Sequence, residues 1–168
     1  MTTVGIISDT HSCWDDRYAA HFADCQEIWH AGDIGDADII LRLRGICPVV
    51  RAVYGNIDHG PVRWLCPERL IFETEGIRVL LTHIGGYPGK YAPGLRDTLI
   101  RERIRLMVCG HSHILKVMPD SALDMLHINP GAAGYHGWQK ERTLIKLTLD
   151  AGTFKELQVI ELGKHTIK

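Results

Sequence analysis

The sequence predicts an α/β protein in which two mixed β-sheets pack together and helices lie outside. Short apolar runs alternate with amphipathic stretches in the first half of the chain, which is typical of strand–helix units. In the second half, apolar runs follow one another across short turns, which is typical of antiparallel hairpins. Because 168 residues suffice for one sizeable core, we expect a single domain over residues 1–168.

The first half contains three predicted strands and two predicted helices. Asp15 or Asp16 can cap the first helix, which is expected to run to about Cys25 with apolar residues on one face. Asp36 can cap the second helix, which runs through Arg44 until a glycine and a proline end it. The predicted strands cover residues 4–8, 27–30 and 49–53.

The second half is predicted to consist mainly of strands. Glu75 and Gly76 separate two apolar runs, residues 70–74 and 77–81, as in a hairpin. The segment 84–94 holds four glycines and two prolines, so we expect a loop, and an amphipathic helix from Leu95 to about Arg103 follows it. The remaining predicted strands cover residues 106–109, 114–117, 124–128, 143–149 and 154–160.

Composition excludes several classes of function. The chain is 45% hydrophobic and 23% charged, with a formal net charge of -1, so no overall positive field favours nucleic acid or an anionic membrane. Its apolar runs fall far short of a membrane span, and its first residues lack the pattern of a signal peptide. Five cysteines without a CxxC pair indicate free thiols, so we expect a cytoplasmic protein.

Polar side chains follow five of the predicted strands at the point where each strand ends. Because the carboxyl ends of strands in α/β sheets face one crevice, these side chains are expected to converge. They are Asp9 and His11, Asp33, Asn56 and Asp58, His83, and His111 and His113. A single Asp after a strand is usually a cap or turn residue, but five such positions in order favour a metal site.

The donor set predicts which ions such a site would hold. Imidazole and carboxylate donors without a thiolate suit Mn, Fe, Ni, Co or Zn better than Mg or Ca. The seven donors Asp9, His11, Asp33, Asn56, His83, His111 and His113 exceed what one tetrahedral ion needs. They fit two ions that share a carboxylate, roughly 3.5–4 Å apart. Glycines before Asp33, Asn56 and His111 are expected to permit tight turns.

The order of these motifs resembles that of a known family. Asp-x-His, Gly-Asp, Gly-Asn-x-Asp, His and Gly-His-x-His together resemble the signature of the calcineurin-like metallophosphoesterases. The short chain and the segment INPGAAG at residues 128–134 resemble the small phosphodiesterase branch, to which a eukaryotic retromer scaffolding subunit is also related. The resemblance implies a four-layer αββα sandwich with a dinuclear site at one edge.

The resemblance also implies a role for each residue. The first metal would be held by Asp9, His11 and His113, and the second by Asn56, His83 and His111, with Asp33 bridging the two. The candidate catalytic residues are His11 and Asp58, the latter orienting Asn56 or His11. Ile57 stands where many relatives carry a histidine that is taken as a general acid, and a second histidine shortly after His83 is missing.

The predicted function is hydrolysis of a small phosphate ester, most simply a diester, with two divalent cations as cofactors. Mn²⁺ is the first candidate, and Ni, Fe, Co and Zn are alternatives. His11, His59 and Lys90 are candidates for contacting the phosphate or leaving group, and Tyr87 and Tyr91 for walling the substrate site. Two alternatives stay open: a catalytically weak interaction scaffold of the same fold, which the intact donors disfavour, and a nuclease, which the net charge disfavours. The sequence leaves the natural substrate open and allows a homo-oligomer.

Overall fold

The computed structural model describes residues 1–164, which contain two five-stranded sheets. The first of these sheets contains the parallel strands from the first half of the chain. From edge to edge this sheet consists of β12 (Thr153–Lys164), β11 (Glu141–Asp150), β1 (Thr2–Ile7), β2 (Glu27–His30) and β3 (Val49–Ala52). β1, β2 and β3 are parallel, whereas β11 is antiparallel to both β1 and β12, so the sheet is mixed.

The second sheet is also mixed and is built from the middle of the chain. From edge to edge it consists of β4 (Arg69–Thr74), β5 (Ile77–Thr82), β8 (Leu106–Val108), β10 (Met125–Asn129) and β9 (Lys116–Asp120). β5, β8 and β10 are parallel, and β4 and β9 are antiparallel edge strands. The predicted hairpin is confirmed, because Glu75 and Gly76 both adopt positive φ between β4 and β5, as a tight hairpin turn requires.

Within residues 1–164, four short helices connect the strands of the two sheets. They are α1 (Asp16–Phe22), α2 (Asp38–Ile46), α3 (Pro61–Leu65) and α4 (Leu95–Arg101). The Asp15 carboxylate caps α1 by accepting a hydrogen bond from the Arg17 backbone N–H at 3.0 Å. Within residues 1–164, no helix has both the length and the apolar character needed to cross a bilayer.

Three apolar clusters show how the layers stack. The central cluster lies between the sheets and packs Ile6 of β1 against Leu81 and Val108 of the second sheet. On the outer face of the first sheet, Ile7 packs with residues of α1 and α2. On the outer face of the second sheet, Leu80 packs with residues of α4. The expected arrangement of two mixed sheets between helical layers is therefore confirmed.

The boundaries of several elements differ from those predicted. The strand expected at residues 114–117 lies at Lys116–Asp120 and includes Pro119, which is tolerated because β9 is an edge strand. The segment expected to be a loop contains a two-stranded hairpin, β6 (Gly86–Tyr87) with β7 (Lys90–Tyr91). α1 ends earlier than expected, at Phe22, because the next residues form a tighter turn, and α3 was not predicted.

Candidate metal centre

The predicted donors all lie at one end of the two sheets. Asp9 and His11 follow β1, Asp33 follows β2, and Asn56 follows β3. His83 follows β5, and His111 and His113 follow β8. Since β1 to β3 run parallel in one sheet and β5 and β8 run parallel in the other, the carboxyl ends of both sets meet at a common edge.

A first group of side chains places four potential ligand atoms within 4.8 Å of one another. It consists of Asp9, His11, Asp33 and His113. The His113 Nε2 atom lies 3.1 Å from Asp9 Oδ1, and the His11 Nε2 atom lies 3.4 Å from Asp33 Oδ2 and 3.9 Å from Asp9 Oδ1. Both carboxylates are almost fully buried.

A second group shares Asp33 with the first and adds His83 and His111. The His83 Nε2 atom lies 3.2 Å from Asp33 Oδ2. Asn56 completes this group, since its Oδ1 atom lies 3.0 Å from both His83 Nε2 and His111 Nδ1. The structure thus brings all seven predicted donors together in two sets with Asp33 common to both.

Buried lone pairs in these two groups fit a cation. The Asp9 Oδ1 and His11 Nε2 atoms are buried and have no hydrogen-bond partner among residues 1–164, a state that is costly for a polar atom. His83 donates from Nδ1 to the carbonyl of Ala31 at 2.8 Å, so its Nε2 faces the oxygens of Asp33 and Asn56. These oxygens favour a positive charge at Nε2, which either a proton on the ring or a divalent ion supplies.

The electrostatics of the metal-free groups agree with a site made for positive charge. The Asp9 carboxylate, whose Oδ1 lies 3.1 Å from the ring Nε2, raises the pKa of His113. Burial opposes protonation of His83, but the Asp33 carboxylate and the charge of Asp9 still raise its pKa. Burial lowers the pKa of His11, which favours the neutral ring that a metal needs.

The backbone at the site is held in unusual conformations. Five of the seven donors have positive φ, a region that few residues other than glycine adopt. They are Asp9, His11, Asp33, His111 and His113. The loop after β1 is fastened to the loop after β2 by N–H groups of Asp9 and His11, each of which donates to a carbonyl at 3.0 Å. Such strain persists only where the surrounding structure enforces it, and it is frequent at functional sites.

The three predicted glycines serve two different purposes. Gly32 has a φ of 99° and forms the turn that was expected before Asp33. Gly55 and Gly110 have no positive φ, so the expected reason does not apply to them. They are instead required for close approach: a Cβ atom on Gly55 would overlap the Asp33 carboxylate, and one on Gly110 would lie 2.6 Å from Asp9 Oδ2.

Asp58 supports the site through the backbone. Its buried carboxylate accepts hydrogen bonds from the N–H groups of Ile34, Gly35 and Gly55, at 3.0, 2.8 and 2.8 Å. These N–H groups lie just after Asp33 and just before Asn56. Asp58 therefore fixes the two loops that carry one donor of each group.

Sequence reasoning missed His30, which is buried beneath the loops. Its Nδ1 accepts a hydrogen bond from the Gly32 N–H at 3.1 Å, so its Nε2 carries the proton and faces the hydroxyl of Thr10 at 3.1 Å. That hydroxyl donates to the carbonyl of Ile34 at 2.9 Å. Burial lowers the pKa of His30 to about 4, which keeps it neutral. A histidine closing the apolar run Ile28-Trp29-His30 was the only available signal.

Gln139 and His136 were also missed. Gln139 donates from Nε2 to the carbonyl of His136 at 2.8 Å, which leaves its Oε1 as the acceptor for His113 Nδ1 at 3.1 Å. This bond directs the other ring nitrogen of His113 toward Asp9. The ring of His136 stacks on that of His11, with centroids 4.4 Å apart.

The segment INPGAAG at residues 128–134 clamps the loops from both sheets. Asn129 donates to the carbonyl of Gly110 at 2.9 Å and accepts from the N–H of Gly131 at 3.0 Å. The N–H groups of Ala133 and Gly134 donate to the carbonyls of residues 8 and 9 at 2.9 and 3.2 Å. The segment therefore couples the loop after β8 to the loop after β1.

The remaining candidates lie around the cluster and not within it. Ile57 is 38% exposed, and its N–H donates to Asp33 Oδ1 at 3.1 Å. The exposed His59 contacts the carbonyl of Ile57 through Nδ1 at 3.0 Å. Lys90, Tyr87 and Tyr91 line a cavity that also contains His111 in its wall.

Comparisons with known proteins agree with this geometry. The model of the calcineurin-like phosphoesterase superfamily domain matches residues 2–152. A probable metallophosphoesterase of Methanothermobacter thermautotrophicus is 33% identical over 135 residues, which are 77% of this chain and 76% of that protein.

Two solved structures share the fold. A novel archaeal phosphodiesterase superposes with a TM-score of 0.72 at 20% identity and covers 95% of this chain and 99% of its own. Vps29 from Entamoeba histolytica, complexed with Zn²⁺, superposes with a TM-score of 0.72 at 15% identity and covers 95% and 98%. At these identities the two structures show the fold alone. The family model and the relative from Methanothermobacter show membership of the family. The chain belongs to the calcineurin-like phosphoesterase superfamily.

Proposed function

We propose that this chain is a metal-dependent phosphodiesterase that hydrolyses small phosphate esters with two divalent cations. One observation carries the proposal: Asp33 belongs to both groups of potential ligands, as a carboxylate between two ions would. Asp9, His11 and His113 would hold the first ion, and Asn56, His83 and His111 the second. Mn²⁺ is the first candidate, with Ni, Fe, Co and Zn as alternatives.

Two such ions, when bound, lower the pKa of a water molecule and neutralise charge on the phosphoryl oxygens. The residues of the chain position the ions and the loops that carry their ligands. His11 contributes as a ligand, since its Nε2 is buried against Asp33 and Asp9. Asp58 is a positioning residue, because it holds the backbone of both loops through three N–H groups. Gln139 and the carbonyl of Ala31 fix the tautomers of His113 and His83.

The side chain at position 57 supports a preference for good leaving groups. Ile57 is next to Asn56 and carries no proton donor, whereas a positioned general acid contributes about 10²–10⁴-fold to such reactions. An ester whose leaving group departs as a stable anion needs no such donor. We therefore propose that aryl diesters are better substrates than simple alkyl esters.

Scaffolding is the second candidate function, and the likeness to Vps29 in fold supports it. Scaffolding does not itself require metal ligands, although the Entamoeba Vps29 structure contains Zn²⁺, and this chain has seven donors in two compact groups. The donors favour the enzyme. Among phosphodiester substrates, a net charge of -1 favours small esters over long nucleic acids, and so disfavours a nuclease. A homo-oligomer and a cytoplasmic location stay proposals; the five free thiols support the latter.

The test is an assay of the metal-stripped protein, reconstituted with each divalent ion in turn, against a panel of phosphodiesters and phosphomonoesters. We expect metal-dependent turnover of aryl diesters, with Mn²⁺ among the activating ions. Asp33→Asn serves as the inactive control at equal protein concentration. Absence of turnover with every ion, in protein that binds metal and is folded, would favour the scaffold.

A further inference from the structure

A cavity of about 400 Å³ adjoins the candidate metal centre. His111 belongs both to its wall and to the second group of potential ligands. Tyr87 and Tyr91 of the hairpin β6–β7 form one side, and His127 of β10 and Lys116 of β9 contribute to the rest. A molecule bound in the cavity can therefore extend from there to the metal centre.

The fold explains why this space exists. The outer face of the second sheet is covered by α4, which packs on residues such as Leu80 and Met107 near the middle of the strands. Beyond α4, toward the carboxyl ends of the strands, the hairpin β6–β7 lies beside the cavity. It is held by the Tyr91 hydroxyl, which donates to Asp120 at 2.6 Å, and by Lys116, whose Nζ lies 4.1 Å from the centre of the Tyr87 ring.

The lining combines apolar walls with positive charge. Ile84, Pro93 and Ile114 line the cavity together with the two tyrosine rings. Lys90 and Lys116 are also in the lining, and among residues 1–164 no carboxylate lines it. Aromatic and aliphatic walls bind flat rings, and the two lysines favour a molecule that carries negative charge, as a phosphate ester does.

One histidine of this lining has a buried ring nitrogen without a hydrogen-bond partner among residues 1–164. His127 is 1% exposed, and its Nδ1 is buried without a hydrogen-bond partner in the described part of the chain. Burial lowers the pKa of His127 to about 4, so the ring is neutral at physiological pH. Its neighbour on the same face, Asn129, is fully engaged by Gly110 and Gly131. A buried unpaired nitrogen costs stability unless a ligand or water completes it.

We propose that this cavity binds a flat heteroaromatic ring of the nucleobase class, carried by one ester group of the phosphodiester substrate. The ring would lie against Tyr87, its polar edge would reach His127, and the phosphate would lie toward His111. The placement of the phosphate rests on the proposed phosphodiesterase function, whereas ring binding does not. A volume of about 400 Å³ is within the range of small-molecule sites.

The test measures binding of nucleosides to the metal-loaded full chain by calorimetry. Adenosine and cytidine serve as probes, because they carry the ring but no phosphate, so binding is measured without turnover. Ribose is the control without an aromatic ring, and benzene is the control with an aromatic ring but no heteroatom. We expect both nucleosides to bind at least tenfold more tightly than ribose.

Two variants and one control locate the bound ring. Tyr87→Ala should weaken nucleoside binding about tenfold, since stacking on an aromatic side chain has about that value. His127→Leu should weaken it about 2- to 10-fold, as expected for one lost hydrogen bond, and leave benzene binding unchanged. Trp64→Ala is the matched control, since Trp64 is 83% exposed and outside the cavity lining, and it should bind like the wild type.

Three results would overturn the proposal. The first is nucleoside binding no tighter than that of ribose, and the second is wild-type affinity in Tyr87→Ala. The third is loss of binding after chelation, which would place the ring on the metal ions. If a buried variant fails to fold, Ile114→Trp replaces it: Ile114 is 58% exposed, and a larger side chain there should obstruct the cavity and weaken binding. A failed hydrolysis assay with retained nucleoside binding would refute the phosphodiesterase and not the cavity.

Discussion

At the scale of single residues, Asp33 is the donor whose substitution should affect the metal centre most, because it is shared by both groups. Asp33→Asn keeps the shape of the side chain and the oxygen that accepts from the Ile57 N–H, but it removes the negative charge. We expect loss of both ions and a fall in turnover of more than about 10²-fold, since two ions contribute several kcal/mol. His113→Ala should disturb one ion and cost less.

Metal content and turnover, both measured at saturating Mn²⁺, compare the two variants. His21→Ala is the control, since His21 lies in α1 and outside both groups. Near wild-type turnover in a folded Asp33→Asn protein would show that Asp33 does not bridge.

Ile57 is the residue that most directly tests leaving-group dependence. Ile57→His should raise the rates for alkyl diesters by up to about 10²-fold and leave aryl rates nearly unchanged, because only a poor leaving group needs a proton. The measurement is a plot of log rate against leaving-group pKa for the wild type, Ile57→His and the control Ile57→Leu. A shallow slope in the wild type would mean that another residue already supplies the proton.

The donors could be predicted from the sequence, but their supports could not. Asp9, Asp33 and His83 stand shortly after apolar runs, so residue type and position were sufficient to predict that they converge. The bond from His113 to Gln139 joins residues 26 apart whose loops meet only in the folded chain. Hydrogen bonds of this kind depend on tertiary geometry, which no local pattern reveals.

At the scale of elements, Asp15 joins the start of α1 to β11. Its carboxylate accepts from both Nη atoms of the buried Arg142 at 3.1 Å and is also paired with Arg17. The hydrogen bonds from Arg17, assisted by Arg142, lower the pKa of Asp15 to about 2 from an ordinary value of 3.8. The stabilisation is therefore present above about pH 4 and is lost as pH falls through about 2.

Asp15→Asn retains a side chain that can cap α1 but removes the charge. We expect a loss of about 1–3 kcal/mol in the free energy of unfolding at pH 7, because Arg142 stays buried without its counter-ion. Denaturant unfolding at a series of pH values should show the difference from the wild type shrinking between pH 4 and 2. Asp38→Asn, which breaks an exposed pair with Arg42, is the control and should cost under about 1 kcal/mol. A pH-independent difference for Asp15→Asn would contradict the account.

Most elements were predictable because their apolar periodicity is local. The exceptions share a cause: their conformation depends on a neighbour. Residues 116–120 form β9 because β10 offers its edge, despite Pro119. The hairpin β6–β7 is held against β9 by two contacts. Tyr91 of the hairpin donates to Asp120 of β9, and Lys116 of β9 lies over the ring of Tyr87 in the hairpin. Local sequence contains glycine and proline signals there but not these contacts.

At the scale of the whole molecule, the two layers of sheet were predictable, but the order of strands was not. β1 pairs with β11, with Val4 opposite Leu147. One neighbour of the first strand is therefore a strand from the last part of the chain. Pairing across such a separation is decided by the closure of the whole sheet and not by local pattern. The pattern of strands and helices predicted two packed sheets with helices outside, and the family resemblance implied the four-layer αββα sandwich.

The single-domain organisation stays a prediction, and calorimetry tests it. The central apolar cluster is shared by both sheets, so we expect one cooperative unfolding transition whose calorimetric and van't Hoff enthalpies agree. Ile6→Ala, in that cluster, should lower the temperature of the single transition and reduce the free energy of unfolding by about 2–5 kcal/mol. Two separate transitions, only one of which responds to Ile6→Ala, would show that the sheets unfold independently.

The measurement that most directly tests the central claim is the number of divalent ions bound per chain. The metal-stripped protein is titrated with Mn²⁺ by calorimetry, and the saturated protein is analysed for metal after gel filtration. We predict two ions per chain, because two groups of donors share Asp33. A stoichiometry of zero or one at saturation, in protein whose fold is intact, would contradict the dinuclear site.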